Sequence, residues 1–514
     1  YAEASVLFSQ LITTNFSNKE VYVKRGIAYF YQNDFEKAKA DLDEAVKARI
    51  NTAELFQFRG NSKYKLEDFQ GSIGDLEKAV AMGVNHFETF ANLGNAKFRA
   101  ENYKEAIANY DKAFATGKKD PVLYNNRGKA KINLKDLTGA VADFDEALKL
   151  KPDYDKALEN RADTRFQLKD WKGAAADFEK MIASGRSDED LFQKLGTSKF
   201  NLGDFAGCAD ALKKVVAKGV KDKDVFKMLG LSLTKANDYQ GTANALAAAV
   251  SLGASDKEVF EQLGTAYYFL KDYKSSIESL SRAIAAGLSS KEVFLYKGNA
   301  EYIQKDVDNA VKDLEKAVSL GASDYDAFKN LGDAKFLKND FAGAIQYYNK
   351  ATTFPQADAV VFNNRGKAKA TLGDFAGALP DYDKAISLKA DYTKAYLNRG
   401  VVRFNQSDYK GSSEDLEKAK TEGDAEVLRM LGVAKYNLND KTGAKNYLES
   451  ASKAGKTPKQ ISIWPTFAMT PVNSKLPSMR TQPLRQVVKK TSRFLKREAR
   501  PRIKHRILAE QLPT

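Results

Sequence analysis

Residues 121–154, PVLYNNRGKAKINLKDLTGAVADFDEALKLKPDY, contain one complete unit of the pattern that decides the fold. Gly128 is followed after 12 residues by Ala140 and after 16 by Phe144. Apolar residues recur at intervals of three and four on both sides of a break at Asp136, which is the spacing of one apolar helical face. The stretch therefore predicts two helices that approach closely where the Gly and the Ala stand.

The same unit recurs with a period of 34 residues over most of the chain. A fixed period of this length indicates a repeat architecture. Thirteen units span residues 19–452, and the last begins 32 residues after its predecessor. The Gly position is occupied in turn by Gly26, Gly60, Gly94, Gly128, Ala162, Gly196, Gly230, Gly264, Gly298, Gly332, Gly366, Gly400 and Gly432.

A 34-residue unit of two helices with these positions resembles the tetratricopeptide repeat. The resemblance implies an all-α, right-handed superhelical solenoid of antiparallel helix pairs, whose concave groove holds peptides or partner segments. One helix pair cannot bury its apolar face alone, so neighbouring pairs are expected to stack. We therefore expect a non-catalytic protein-interaction scaffold or adaptor.

Helix boundaries are marked in most units. Asp stands at the break position in twelve of thirteen units and Asn102 in the other, so we expect a short acceptor to cap each second helix. Capping-box spacing predicts first-helix starts at Asn51, Asn85, Ser255 and Ser289, each three residues before a Glu. Glycines predict helix ends in the left-handed conformation at Gly83, Gly117, Gly185, Gly219, Gly253, Gly287 and Gly321.

A longer period overlies the short one. The units at 121–154 and 359–392 are seven units apart and share 19 of 34 residues. Two interpretations stay open: an ancestral block of seven units was duplicated without retained function, or the chain holds two equivalent binding stretches about one superhelical turn apart.

The composition excludes several kinds of site. The 514 residues contain two His and one Cys, too few for a disulfide framework, a Cys/His zinc cluster or most nucleophile–histidine pairs. No apolar run approaches the roughly 18 residues of a membrane span. We expect no enzyme activity, no cofactor and no small-molecule substrate.

An aromatic residue follows the Gly by four positions in ten of the thirteen units. The resemblance places this position on the groove, where rings offer a large contact area to a partner. The alternative is that the same rings pack against a neighbouring helix. The predicted groove residues are Phe30, Tyr64, Phe98, Phe166, Phe200, Tyr268, Tyr302, Phe336, Phe404 and Tyr436.

Two stretches resemble part of the carboxylate clamp by which some family members grip the C-terminal carboxylate of a chaperone. Charged and amide donors converge on one anion in such a site. Each stretch matches three of five positions; Ala91 and Asn160 depart from the pattern in the first, and Asp333 and Asn398 in the second. The matching residues are Asn95, Asn126 and Lys156, then Lys329, Asn364 and Lys394.

The two ends differ from the repeats. Residues 1–18 fit the second helix of a truncated unit, and without an initiator Met we expect the chain to be part of a longer protein. Residues 453–483 carry regularly spaced prolines, which predict an extended linker. Within it, Trp464 and Phe467 are expected to cover the last apolar face.

Most of the net charge of +15 lies at the C-terminal end. Residues 453–514 hold 15 Lys or Arg and two acids, a net of +13, which leaves +2 for residues 1–452. Residues 484–514 predict a basic amphipathic tail that contacts an acidic partner surface, nucleic acid or anionic lipid, or is solvated. Its expected contact residues are Lys489, Lys490, Arg493, Lys496 and Arg497.

Three functional hypotheses follow. The first is a scaffold that binds partner segments in the groove, with the tail as a second contact. The second is an adaptor for nucleic acid or anionic membrane through the tail, and the third is a periplasmic component of a bacterial secretion or envelope complex. The sequence leaves the compartment, cytoplasmic or periplasmic, open.

Overall fold

The computed structural model describes residues 1–14, 17–419 and 423–454. These residues form 27 helices and no strand, which confirms the predicted all-α class. The chain divides into two compact parts, Tyr1–Ala266 and Tyr267–Thr514. The remainder of the predicted linker, with Trp464 and Phe467, and the predicted basic tail lie outside the described residues.

The helices alternate along the chain as first and second members of a pair. Helix α1 (Ala2–Thr13) precedes the pairs. The first helices are α2 (Glu20–Tyr31), α4 (Ala53–Lys65), α6 (Phe87–Arg99), α8 (Pro121–Asn133), α10 (Asp155–Gln167), α12 (Glu189–Asn201), α14 (Lys223–Lys235), α16 (Lys257–Phe269), α18 (Lys291–Ile303), α20 (Tyr325–Leu337), α22 (Ala359–Thr371), α24 (Thr393–Asn405) and α26 (Ala425–Asn437). The second helices are α3 (Phe35–Lys47), α5 (Phe69–Ala81), α7 (Tyr103–Ala115), α9 (Leu137–Leu150), α11 (Trp171–Ala183), α13 (Phe205–Ala217), α15 (Tyr239–Ser251), α17 (Tyr273–Ala285), α19 (Val307–Ser319), α21 (Phe341–Ala351), α23 (Phe375–Leu388), α25 (Tyr409–Lys418) and α27 (Lys441–Ala454).

The two helices of a pair meet at the repeated Gly, as the sequence predicts. A Cβ added to Gly26 would lie 2.8 Å from Leu42 Cγ and 3.1 Å from the carbonyl oxygen of Ala38. Leu42, like its counterparts Leu76, Tyr110 and Phe144, has no measurable exposure to solvent. The absence of a side chain at the Gly therefore lets one large apolar residue of the second helix fill the space between the helices.

The predicted second-helix caps are confirmed at all twelve Asp positions. Asp68 is representative: its Oδ1 accepts a hydrogen bond from the backbone N–H of Gly71 at 2.9 Å. Asn102, the thirteenth, makes no side-chain cap. The seven predicted Gly helix ends also hold, because each has a positive φ between 88° and 99°.

The predicted capping boxes are wrong by one residue. Helices α4, α6, α16 and α18 each begin one position later than a box at Asn51, Asn85, Ser255 or Ser289 requires. Thr52 and Ser290 accept the capping bonds instead. Two adjacent short acceptors are equivalent in the sequence, and the backbone geometry of the preceding turn selects between them.

Candidate functional site

One face of each first helix is turned away from its own second helix. If each first helix is numbered so that its Gly is position 8, a rotation of about 100° per residue places positions 2, 6, 9 and 13 opposite that Gly. Most first helices contact the first helix of the next pair, as α2 contacts α4 and α18 contacts α20. Among the described residues no contact of comparable extent joins successive second helices. We call positions 2, 6, 9 and 13 of α2 to α26 the first-helix surface.

Side chains at positions 9 and 6 link successive first helices across this surface. Asn92 Nδ2 donates to Asn61 Oδ1 at 3.0 Å, and Lys194 Nζ lies 2.8 Å from Asp163 Oδ1. These bonds occupy polar side chains of the first-helix surface. They also fix the spacing between adjacent helices of the surface.

The predicted aromatic residues occupy position 12, at the flank of the first helix rather than on this surface. Phe30 is representative: its ring meets that of Phe35, the first residue of the second helix, edge-on at 5.5 Å between centroids. Seven of the other nine make the same contact in their own pair. Tyr302 instead contacts Asp333, and Tyr436 is half exposed. Whether these ten residues bind a partner stays a prediction.

Two ring clusters lie on the first-helix surface and are missed by the sequence analysis. Tyr31 at position 13 meets Phe58 of the next first helix at 5.6 Å, and both rings contact Phe30. Phe269 meets Tyr296 in the same way, at the same 5.6 Å, and both contact Tyr268. Tyr31 and Phe269 are 49% and 44% exposed. The clusters lie seven units apart in sequence, a recurrence that is visible in the sequence as the longer period.

The first clamp-like stretch is largely occupied by internal hydrogen bonds. Asn95 Oδ1 accepts from the Tyr110 hydroxyl at 3.0 Å and from Asn126 Nδ2 at 3.1 Å. Asn160 donates to Asn125 at 2.8 Å, while Lys156 is exposed. The structure therefore brings Asn95 and Asn126 together and leaves Lys156 as the exposed cation of this stretch.

The second clamp-like stretch is built around a buried carboxylate. Asp333 is 3% exposed and accepts hydrogen bonds from the Tyr348 hydroxyl at 2.6 Å and Asn364 Nδ2 at 3.0 Å. Lys329 Nζ lies 3.3 Å from the other oxygen. Burial, with the nearby Asp333, raises the pKa of Tyr348, so the hydroxyl stays protonated and donates. Because Lys329 is paired with Asp333, the exposed cation of this stretch is Lys394.

On the side of the first helix away from the first-helix surface, buried ion pairs join the first helix to its own second helix. In seven units a cation at position 7 meets an Asp sixteen residues later; Arg59, for instance, lies 2.6 and 2.7 Å from the two oxygens of Asp75. Arg59 also reaches Asp43 of the preceding pair at 3.1 Å. The seven pairs are Arg25–Asp41, Arg59–Asp75, Arg127–Asp143, Arg161–Asp177, Lys297–Asp313, Arg365–Asp381 and Arg399–Asp415.

Sequence reasoning missed these pairs although a signal exists. Wherever position 7 is Leu, the residue sixteen positions later is not Asp; Leu93 is followed by Asn109 and Leu195 by Ala211. This concerted change across thirteen units indicates contact. The cations at position 7 therefore have a structural role and are unavailable to a ligand.

In the Lys297–Asp313 pair, one cation is shared by two carboxylates. Glu301 is 2% exposed, shares Lys297 with Asp313, and its Oε2 has no hydrogen-bond partner among the described residues. Burial raises the pKa of Glu301, and Asp313 adds to the shift. A raised folded-state pKa lowers the free energy of unfolding as pH rises from the ordinary Glu value, because the unfolded chain ionises first.

We predict that Glu301→Gln stabilises the protein at pH 8 and does so less at pH 5. Urea unfolding followed by circular dichroism at the two pH values measures the difference. Glu292→Gln, at an exposed carboxylate of the same helix, is the control. An equal effect of Glu301→Gln at both pH values would contradict the prediction.

The described residues contain no group of His, Cys, Asp and Glu arranged to hold a metal ion. Within residues 1–14, 17–419 and 423–454, no helix is long and apolar enough to cross a membrane. The predicted tail contacts Trp464, Phe467, Lys489, Lys490, Arg493, Lys496 and Arg497 lie outside these ranges.

Comparison with protein families gives a match over more than half of the chain. A model described as tetratricopeptide repeat matches residues 59–121, 125–189, 261–325, 308–358 and 363–426, and a second model of the same description matches residues 19–49. A search of curated proteins finds no match.

Several solved structures align with parts of the chain. YrrB, described as a TPR protein with an unusual peptide-binding site, is 19% identical over 35% of this chain and 93% of its own, with a TM-score of 0.32. A chain of Naa15/Naa10 bound to HypK-THB is 12% identical over 85% of this chain and 75% of its own, at 0.37. The C-terminal part of a TPR repeat-containing protein from Cytophaga hutchinsonii is 20% identical over 46% and 97%, at 0.34.

Proposed function

Because the chain belongs to the tetratricopeptide repeat family, we propose that it is a non-catalytic scaffold that binds segments of partner proteins on its first-helix surface. The observation that carries this proposal is the pair of ring clusters at Tyr31 and Phe269. Each places a half-exposed ring against a ring of its own helix and a ring of the next first helix, at sites seven units apart in sequence, and the Tyr31 ring also stacks on Tyr1.

Such a cluster suits the anchoring of a partner side chain. Its exposed ring offers a large apolar area, and contacts with the neighbouring rings restrict its rotation before a partner arrives. Residues of this type at the centre of an interface carry most of the binding energy. Two of the ten predicted rings at position 12, Phe30 and Tyr268, support the clusters from the flank.

Selection from a random peptide library displayed on phage tests this function with the intact chain as bait. We predict that Tyr31→Ala combined with Phe269→Ala weakens binding of the selected peptides by at least about tenfold in fluorescence anisotropy. The matched control is Leu150→Ala with Leu388→Ala, two exposed apolar residues, also seven units apart, on second helices. Equal binding by the ring variant and the wild type would overturn the assignment of these clusters.

A second candidate function concerns the basic segment. Its support is the charge distribution, with a net of +13 in residues 453–514. Binding of RNA, DNA and anionic vesicles is measured against salt concentration, with and without residues 484–510. Steep salt dependence that disappears on truncation supports an adaptor for nucleic acid or membrane.

A further inference from the structure

Four lysines of the first-helix surface occur only in two places along the chain. Lys129 and Lys367 are the only lysines at position 9 of the thirteen first helices, and Lys156 and Lys394 are the only ones at position 2. Nine of the other eleven units carry Asp or Glu at position 2. We call Lys129 with Lys156 the first lysine site, and Lys367 with Lys394 the second.

The two sites share three contacts. In the first, Asn126 donates to Asn95 at 3.1 Å and Asn160 donates to Asn125 at 2.8 Å. The corresponding distances in the second are 3.0 Å from Asn364 to Asp333 and 2.8 Å from Asn398 to Asn363. The lysine at position 9 also lies over the ring at position 12 of the preceding unit in both sites, at 5.7 Å for Phe98 and 5.4 Å for Phe336.

None of the four ammonium groups has a carboxylate within ion-pair distance among the described residues. This distinguishes them from the neighbouring arginines, since Arg127 and Arg365 are bound to Asp143 and Asp381. Burial, with Lys394 nearby, lowers the pKa of Lys367. In the second site two like charges therefore act on each other, whereas Lys24 and Lys194 at position 6 of this surface are paired with Glu54 and Asp163.

Descent from a duplicated block does not by itself explain the recurrence. The surface around the lysines differs between the two sites: Ala91 and Asn95 near the first correspond to Lys329 and Asp333 near the second. Position 9 of the following unit changes from Asp163 to Val401. The lysines are the same in both places although Lys367 and Lys394 of the second site repel each other, which indicates a ligand that offsets the repulsion.

We propose that each lysine site binds an acidic segment of a partner protein, with Asp or Glu side chains between the two ammonium groups. This proposal rests on the scaffold function above and names the chemistry of its partner. Lysines act as separate point charges that suit individual carboxylates, whereas the arginine forks that suit bidentate phosphate recognition are engaged internally. Two sites on one chain favour a partner with two acidic clusters, because the second binding step is intramolecular.

The test uses fluorescein-labelled synthetic peptides and the full chain. One peptide carries a single cluster of four Asp or Glu, a second carries two clusters joined by a flexible linker, and a third has Asn and Gln in their place. We expect the two-cluster peptide to bind more tightly than the single-cluster peptide, and the Asn/Gln peptide not to bind. Lys129→Gln with Lys156→Gln, or Lys367→Gln with Lys394→Gln, is expected to weaken binding about tenfold, and all four changes together to abolish it.

The matched control is Lys172→Gln with Lys410→Gln. These two lysines are exposed and lie seven units apart on second helices. Their replacement removes the same charge as the replacement of one lysine site. An equal loss in the control, or acidic peptides that bind no better than the Asn/Gln peptide, would overturn the proposal. Lysine-dependent binding that is tighter for a phosphopeptide or for RNA would also overturn it in favour of phosphate. Failure here leaves the scaffold function standing if uncharged peptides still bind through Tyr31 and Phe269.

Discussion

Replacing Asp75 with Ala is expected to lower the free energy of unfolding by about 3–5 kcal/mol, the usual cost of leaving a buried charge without its partner. The Asp75 side chain is 5% exposed and accepts two hydrogen bonds from Arg59. It also forms an ion pair with Lys63, whose Nζ lies 2.7 Å from Asp75 Oδ2. Without it, two cations remain between the helices, and only the more exposed Asp43 is left to offset Arg59. Chemical denaturation followed by circular dichroism measures the loss.

The chain itself supplies the rescue variant. In the pair α6 and α7, Leu93 and Asn109 occupy the corresponding positions, and Lys97 pairs with Glu77 of the preceding unit. Arg59→Leu combined with Asp75→Asn copies this arrangement, in which Asp43 stands twenty residues before Lys63 as Glu77 stands before Lys97. We expect the double variant to recover most of the lost stability, because an ion pair replaced as a whole leaves no orphan charge.

Glu44→Ala is the control for the loss of one acidic residue. Its partner Lys47 lies on the same helix and both side chains are well exposed, so we expect little change. If Asp75→Ala were no more harmful than Glu44→Ala, or if the double variant were as unstable as the single one, the ion pairs would have no role in joining the helices.

Gly60→Ala is expected to destabilise the protein by about 1–3 kcal/mol through overpacking. The new Cβ would lie 2.7 Å from Leu76 Cγ and 2.9 Å from Leu76 Cδ2, closer than carbon atoms tolerate, so the two helices must separate. Ala162 at the equivalent position of α10 shows that a pair can accommodate a methyl group when its partner residue differs. We therefore expect a partial loss of stability with the fold retained.

Gly74→Ala in the same helix pair is the opposite case. Gly74 lies in the interior of α5, its backbone is helical, and a Cβ added there would have no neighbouring atom within 4 Å. Ala there is expected to stabilise by roughly 0.5–1 kcal/mol through its helix propensity. Thermal unfolding of both variants measures the contrast, and a change in the same direction for the two would refute the contact at Gly60.

The fold could be predicted because its determinants are local and repeated. Asp68 caps its helix through a residue three positions away, and Gly60 meets Leu76 sixteen positions away, within one unit. Any single unit is weak evidence, but thirteen copies separate the structural positions from the variable ones. The sequence misplaces the start of α4 at Asn51 because Thr52 is an equally good acceptor, and only the geometry of the turn distinguishes them.

The candidate site could be predicted only in part, because it is formed between units. The sequence predicts Phe30 as a groove residue, and its ring lies at the flank against Phe35 and beside Tyr31; Tyr31, one residue later, carries the more exposed ring. One position along a helix changes the direction of a side chain by about 100°, which the apolar pattern alone does not resolve. Asn95 is predicted to offer its amide to a ligand, but its oxygen is taken by Tyr110 and by Asn126 of the next unit.

The sequence by itself determined the repeat, its period, the helix pairs and the seven-unit recurrence, because each depends on residue spacing within one unit or on identity between units. The tertiary structure decided which polar and aromatic groups are already occupied. Arg59, Asp333 and Asn95 are neutralised or hydrogen-bonded by residues of other helices, whereas Lys367 and Lys394 are not. The physical reason is that the availability of a group depends on everything packed around it, and in a stacked array some of those neighbours belong to the adjacent units.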